Sequence, residues 1–188
     1  MGTPRVVLAC FSLLFALCSL AHAEVIDRVL AILPGQIITL SDVEAAMDFG
    51  LVEPPPGDDR IAAGLSALVD RMLMLNEVRR VVPREPPAAA IDARVARMKQ
   101  RFASPQEFSR ALSSRGVGDS VLRLYAADDL RLASYLDERF SSAAQPTDEE
   151  IRQQGEAARA KLTSERRRAL VEAWTAELRR RAEVTVLP

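Results

Sequence analysis

Three acidic clusters are the parts of the sequence whose residue types and spacing could perform chemistry: Asp58-Asp59, Asp128-Asp129 and Asp148-Glu149-Glu150. Neighbouring carboxylates can hold a hard cation or work as a paired acid and base. At a helix start, however, carboxylates stabilise the helix dipole, and this structural role fits the first and third clusters. No glycine-rich phosphate loop accompanies them. We therefore expect no catalytic residues, no metal site and no cofactor.

An apolar leader precedes the rest of the chain. Residues 6–20 are almost wholly apolar, follow Arg5, and lead to Ala21-His22-Ala23, which has the small-x-small form of a signal-peptidase site. We interpret residues 1–23 as a signal peptide that is removed on export to the periplasm. A membrane anchor is the alternative, but about 15 apolar residues fall short of the roughly 20 that span a bilayer. A lipid-attachment site at Cys10 would leave almost no apolar segment before it.

Cleavage after Ala23 would remove the only histidine, His22, and both cysteines, Cys10 and Cys18, from a chain of 188 residues. The mature chain that starts at Glu24 would then have no disulfide and no Cys or His nucleophile. Zinc sites built on thiolate or imidazole are excluded for the same reason.

The charge and composition of the chain are typical of one globular domain. The whole chain is 48% apolar and 27% charged, with a formal net charge of −1. This near-neutral balance argues against nucleic-acid binding, which normally needs a basic surface. Arginines alternate with acidic residues along helical stretches, so we expect them on solvated helix faces in i,i+4 pairs. Phosphate binding through bidentate arginines is the alternative.

The hydrophobic pattern predicts a mainly α fold with a small β-sheet. Residues 25–39 are interrupted at Pro34-Gly35 and predict a short hairpin or a strand with an extended return, and residues 183–187 alternate as a strand. A lone terminal strand needs a partner, so we expect it to pair with the hairpin. Between them lie helices, three of which start at predicted capping boxes, Ser41 to Glu44, Ser104 to Glu107 and Thr147 to Glu150. We expect one domain over residues 24–188, with an N-terminal module (24–146) and a completing part (147–188) whose helix weakens at Gly155.

The order of these motifs resembles the SurA family of periplasmic chaperones. Residues 25–43, VIDRVLAILPGQIITLSDV, resemble the opening strand, turn and first helix of that family, and residues 68–77 resemble its second helix. Residues 130–151 resemble the end of its N-terminal domain, and residues 174–187 its terminal helix and strand. Longer members carry parvulin-type prolyl isomerase domains after the Thr-Asp-Glu-Glu motif. Here the connector from 147 to 164 is far shorter than the roughly 50 residues of a domain.

The resemblance implies a non-catalytic chaperone without prolyl isomerase activity. Its partners would be unfolded or newly exported polypeptides, among them outer-membrane proteins, with no nucleic acid and no stable membrane insertion. Such a protein needs an apolar groove that repacks around varied side chains, and methionine suits this purpose. We expect the polypeptide-binding residues to be Met74, Leu124, Tyr135, Met98 and Phe108. Leu132 and Trp174 we expect in the core.

Two other functions stay open at this point. One is an adaptor or assembly factor dedicated to a single envelope partner, and the other is a protein related to prolyl isomerases. The breadth of polypeptide binding separates a general chaperone from an adaptor, and turnover of a proline peptide identifies an isomerase. The oligomeric state and the identity of the clients are not encoded in any motif of the sequence.

We predict that the exported protein begins at Glu24, because the small-x-small site ends at Ala23. N-terminal sequencing of protein from a periplasmic fraction checks this. Retention of Met1, or a lipid attached to Cys10, would contradict it.

Overall fold

The computed structural model describes residues 27–81 and 84–187. The predicted signal peptide lies outside these residues. The fold is mainly α with a small antiparallel sheet, as the hydrophobic pattern predicts. None of the helices in the described ranges combines the length and hydropathy that crossing a membrane requires. The elements in chain order are β1 (Val29–Leu33), β2 (Gln36–Thr39), α1 (Leu40–Asp48), α2 (Arg60–Arg80), α3 (Ala88–Lys99), α4 (Pro105–Ser114), α5 (Asp119–Phe140), α6 (Asp148–Gln154), α7 (Arg159–Arg181) and β3 (Thr185–Val186).

The sheet joins the two ends of the described chain. Its strand order is β2-β1-β3, and both pairings are antiparallel. Thr185 lies opposite Ile32 and Val186 opposite Ala31. The Leu187 N–H extends this ladder by donating to the Leu30 carbonyl at 2.9 Å. The expected pairing of the C-terminal strand with the hairpin is therefore confirmed.

The first helix is capped differently from the prediction. Thr39, not Ser41, is the N-cap: its side chain accepts a hydrogen bond from the Asp42 N–H, and the Asp42 carboxylate accepts one from the Thr39 N–H. This shift occurs because β2 continues directly into α1, so that the last strand residue also serves as the cap. Ser41 instead donates to Asp27 through both its hydroxyl and its N–H. The hydrogen bond from the Ser41 side chain, followed by one from Thr39, lowers the pKa of Asp27.

The other predicted caps form, but the capping box at Ser104 is incomplete, because the Glu107 carboxylate accepts from the Ala103 N–H and not from the Ser104 N–H. The side chains of Asp59, Ser104 and Thr147 each accept a hydrogen bond from the first turn of the helix that follows. Pro105 occupies the first turn of α4, where its missing N–H costs nothing. Gly155, with φ at +84°, ends α6 and separates it from α7. The helical stretch that begins after Thr147 is therefore broken at the weak point expected from the sequence.

Helix α1 contributes to both main apolar clusters of the core. In the first cluster, Val43 and Met47 pack with residues from the inner side of the sheet and from α2 and α7. Ala45, and Phe49 directly after the end of α1, pack with residues of α3, α4 and α5 in the second cluster. Gly64 of α2 allows the close approach of α1, because a Cβ atom there would lie 3.0 Å from Val43 Cγ1 and 3.0 Å from Met47 Sδ.

We predict that deleting residues 183–188 destabilises the whole fold. The deletion removes the ladder between β3 and β1, and each lost hydrogen bond contributes about 0.5–1.5 kcal/mol net. The expected sum is a large part of a typical 5–15 kcal/mol of unfolding free energy. Thermal denaturation followed by circular dichroism measures the loss. Val186→Ser is the control, because it keeps the backbone and alters an exposed side chain; an unchanged Tm of the deletion variant would contradict the prediction.

Candidate functional site

A cleft of about 210 Å³ lies between β2, α1, α2 and α5, and we call it the α2–α5 cleft. Leu68 and Leu75 of α2 are buried and line its apolar wall. Ile37 of β2 and Leu124 of α5 also line it, although they remain 55% and 50% exposed. An apolar cavity of about 150 Å³ holds a benzene molecule. The cleft therefore has room for one large apolar side chain of a bound chain.

Local geometry explains why these side chains point into the cleft. Successive side chains of a strand face opposite sides, so Ile38 enters the core while the neighbouring Ile37 stays outside. On α2, Leu68, Met72 and Leu75 recur at four and three residues and share one helix face. Leu124 projects from α5 one turn before Asp128, which lines the same cleft. The apolar wall thus combines one strand with two helices.

Polar groups complete the lining of the cleft: Gln36, Asp42, Asn76, Arg79 and Tyr125 are among them. The Nε2 atom of Gln36 is buried, and no acceptor within the described residues lies at hydrogen-bond distance. Burial raises the pKa of the Tyr125 hydroxyl, and the nearby charge of Asp42 adds to the effect. Tyr125 is therefore neutral around pH 7 and offers a hydroxyl that can donate or accept.

Asp129 pairs with two arginines, one of which, Arg71, lines the cleft. Its carboxylate accepts from Arg71 Nη1 at 3.0 Å and from Arg94 Nε at 2.5 Å. Arg71 is only 7% exposed, and a buried guanidinium without a partner would cost several kcal/mol. Arg94 also donates to the Gly50 carbonyl at 3.3 Å. Asp129 thereby links α2, α3 and α5.

Asp128 forms the second half of this ion cluster. It accepts from Arg79 Nη2 at 2.5 Å and from Arg131 Nη1 at 2.9 Å. Arg131 also binds Glu85, which lies before α3. The expectation that arginines occupy solvated faces is thus wrong for Arg71, Arg94 and Arg131, whose side chains are largely buried. Arg79 does lie on a solvated face, but its partner is on another helix instead of one turn away. The sequence did carry a signal, because Asp128-Asp129 falls in the middle of a helix, where the dipole does not account for carboxylates.

The five residues expected to bind polypeptide occupy three different environments. Leu124 is the one that lines the α2–α5 cleft. Met74 and Tyr135 are half-buried and pack against the first core cluster. Met98 is 0% exposed and Phe108 is also buried, both within the second cluster. These two residues cannot touch a bound chain in this fold, so we assign them to the core, where Leu132 and Trp174 also lie as expected.

Apart from Leu124, the residues that line the cleft were not among the predicted binding residues; Gln36, Ile37 and Asn76 are three of those that the sequence reasoning missed. For Ile37 a signal existed, because one of two adjacent isoleucines in a half-buried strand must face outward. No pattern marks Gln36 or Asn76, since only the packing of β2 beside α2 brings them together. Among the described residues no group of three or more acidic, histidine or cysteine side chains is arranged to hold a metal ion.

No protein-family model matches the chain, and the comparison with curated proteins found no significant match. The functional assignment therefore depends on the geometry of the α2–α5 cleft and on the sequence motifs.

We predict that Asp129→Asn destabilises the protein by about 3 kcal/mol, because it leaves the buried Arg71 guanidinium without a counter-charge. Urea denaturation measures the change. Glu53→Gln is the matched control, a carboxylate-to-amide change in the exposed pair with Arg101, and it should cost less than about 1 kcal/mol. Equal effects of the two substitutions would mean that the ion cluster does not stabilise the packing of α2 against α5.

Proposed function

We propose that the mature chain is a non-catalytic periplasmic chaperone that holds unfolded or newly exported polypeptides, including outer-membrane proteins, in the α2–α5 cleft. The observation that carries the proposal is the mouth of this cleft, where Ile37 and Leu124 expose about half of their surface beside a socket for one side chain. The resemblance of residues 25–43 to the opening of SurA-type chaperones supports it independently. Holding a polypeptide in this way requires no chemical reaction by any group in the cleft.

The size of the cleft favours weak and reversible capture. Burying one large apolar side chain contributes about 1.5–3 kcal/mol. Such an interaction alone gives binding that releases quickly, which suits a protein that must hand its clients on. Tight retention would need several sockets of this kind in a row.

The composition of the cleft favours tolerance of different clients. Met72 lines it and is half-buried, and an unbranched thioether side chain adapts its shape to different neighbours. Met72 takes the part that the sequence analysis assigned to Met74: both side chains pack against the first core cluster, but of the two it is Met72 that lines the cleft. A wall of Met72, Leu75 and Leu124 can thus accept aliphatic as well as aromatic side chains.

The charges around the cleft are largely balanced within the protein. Arg79 is paired with Asp128, and Arg71 with Asp129. A client therefore gains little from long-range attraction, and apolar contact supplies most of the binding energy. Binding of this kind persists at high salt, where a Debye length of about 3 Å at 1 M screens exposed charges.

The proposal predicts that the purified chain from Glu24 onward slows the aggregation of several unrelated unfolded proteins, as measured by light scattering. Ile37→Ser combined with Leu124→Ser should reduce this protection at least about fivefold, because both apolar groups at the mouth of the cleft are lost. Val81→Ser is the matched control, since Val81 is 59% exposed and does not line the cleft. Circular dichroism confirms that each variant is folded.

Three outcomes would contradict the proposal. Protection that is unchanged in the double variant would place the binding surface elsewhere. Protection that collapses between low and 1 M salt would show that charge, not apolar contact, drives binding. Protection of a single client among many would identify a dedicated adaptor in place of a general chaperone.

A further inference from the structure

The outer edge of β2 has no partner strand among the described residues, since the sheet order places β1 on its other side. The hairpin closes at Leu33 and Gln36, and the Leu40 N–H donates to the Arg28 carbonyl at 2.8 Å. Hydrogen-bonding direction alternates along an antiparallel strand. The even-numbered residues of this stretch therefore face β1, and the main chain of Ile37 and Thr39 faces the open edge.

One of these two residues has its N–H occupied. The Thr39 N–H donates to Asp42 Oδ2 at 2.9 Å as part of the capping box of α1. Ile37 keeps both an N–H and a carbonyl on the open edge. A strand that is added to a sheet forms two hydrogen bonds with an edge residue of this kind, one to its N–H and one to its carbonyl.

Two further features converge on this edge. The Gln36 side chain holds its buried Nε2 donor without an acceptor in the described part of the chain. Gln36 and Ile37 also line the α2–α5 cleft, together with Leu124. A main-chain donor and acceptor, a free side-chain donor and an apolar socket thus occur together.

We propose that a client binds the open edge of β2 as an added strand. In this arrangement one client residue exchanges both main-chain hydrogen bonds with Ile37, the carbonyl of a client residue two positions along the strand accepts from Gln36 Nε2, and one large apolar client side chain enters the cleft. The proposal rests on the function proposed above and specifies its ligand, which is an extended polypeptide with an apolar side chain.

The hydrogen-bonding pattern excludes a helical ligand at this edge. In a helix the main-chain N–H and carbonyl groups bond to each other, so a docked helix has none to give to Ile37. An extended segment presents a donor and an acceptor from one residue on one side. Because every residue but proline has these groups, recognition depends on chain conformation and on one side chain, and many sequences satisfy it.

The experiment uses a fluorescein-labelled peptide of seven residues, alternating threonine and valine with phenylalanine at its centre. Fluorescence anisotropy measures its affinity for the chain from Glu24 onward. A set of peptides, each N-methylated at one position, then tests the main-chain contacts. We expect methylation at the residue opposite Ile37 to weaken binding about tenfold, and methylation at either neighbour to change it less than twofold, because only alternate N–H groups face the edge.

A variant of Gln36 supplies the second measurement. Gln36→Leu should weaken the unmodified peptide about threefold or more, because the client carbonyl loses its donor. The Tm should not fall, since the substitution removes a buried donor that has no protein acceptor within the described residues. Gln106→Leu, at an exposed position of α4, is the matched control and should change neither quantity.

The outcomes separate this inference from the function on which it rests. If Leu124→Ser abolishes peptide binding but N-methylation has no effect, or the same effect at every position, the added strand is overturned and the cleft stands. If Leu124→Ser leaves peptide binding unchanged, the cleft is not the binding surface and both proposals are overturned. Loss of affinity on methylation of the residue opposite Ile37 but not of its two neighbours, together with sensitivity to Leu124→Ser, is the result that supports both.

Discussion

The buried charge of Arg71 constrains the packing of the helices more than any other group described here. Arg71 lies near the middle of α2, a helix that contacts α1, α5 and α7, and it is almost completely buried. A guanidinium in such a place is tolerated only if a carboxylate meets it with good geometry. Asp129 does so, and its second oxygen binds Arg94 of α3. The relative register of α2, α3 and α5 is therefore set by one carboxylate.

The same cluster determines the shape of the α2–α5 cleft. Arg79 and Asp128 lie on opposite walls and bind each other, so the two helices are held at the separation that the ion pair requires. Large apolar side chains on both walls would favour closure by direct contact, but the charged groups between them need room and hydrogen-bond partners. The cleft is consequently preformed, and a ligand does not have to open it at the expense of binding energy.

Local signals predicted much of the fold. The caps at Asp59 and Thr147 depend on residues three positions apart, and the break at Gly155 depends on one residue, so all three could be recognised in the sequence. The pairing of the terminal strand was also predictable, because few other segments alternate with a period of two. The cap of α1 was placed at Ser41 instead of Thr39, since the pattern does not show that β2 and α1 are continuous.

The candidate site was much less predictable, for a physical reason. Residue type suggested Met98 and Phe108, but type does not distinguish an apolar side chain in the core from one in a groove. The difference depends on which helix faces pack together, and that information is non-local. Leu124 was found because it lies off the main apolar stripe of α5. Gln36 could not be found in this way, because its significance depends on the burial of a single atom.

The position of β3 has a consequence for the order in which the chain folds. Ala31 pairs with Val186, so this contact encloses almost the whole described chain and has a high loop-closure entropy. The second core cluster uses residues between Ala45 and Leu130, which are closer in sequence, and such contacts form earlier. The first cluster stays incomplete until Trp174 and Leu178 arrive. Until then, the inner side of the β1–β2 hairpin and one face of α2 are open to solvent, and during that interval this protein exposes the same kind of apolar surface that a chaperone binds in its clients.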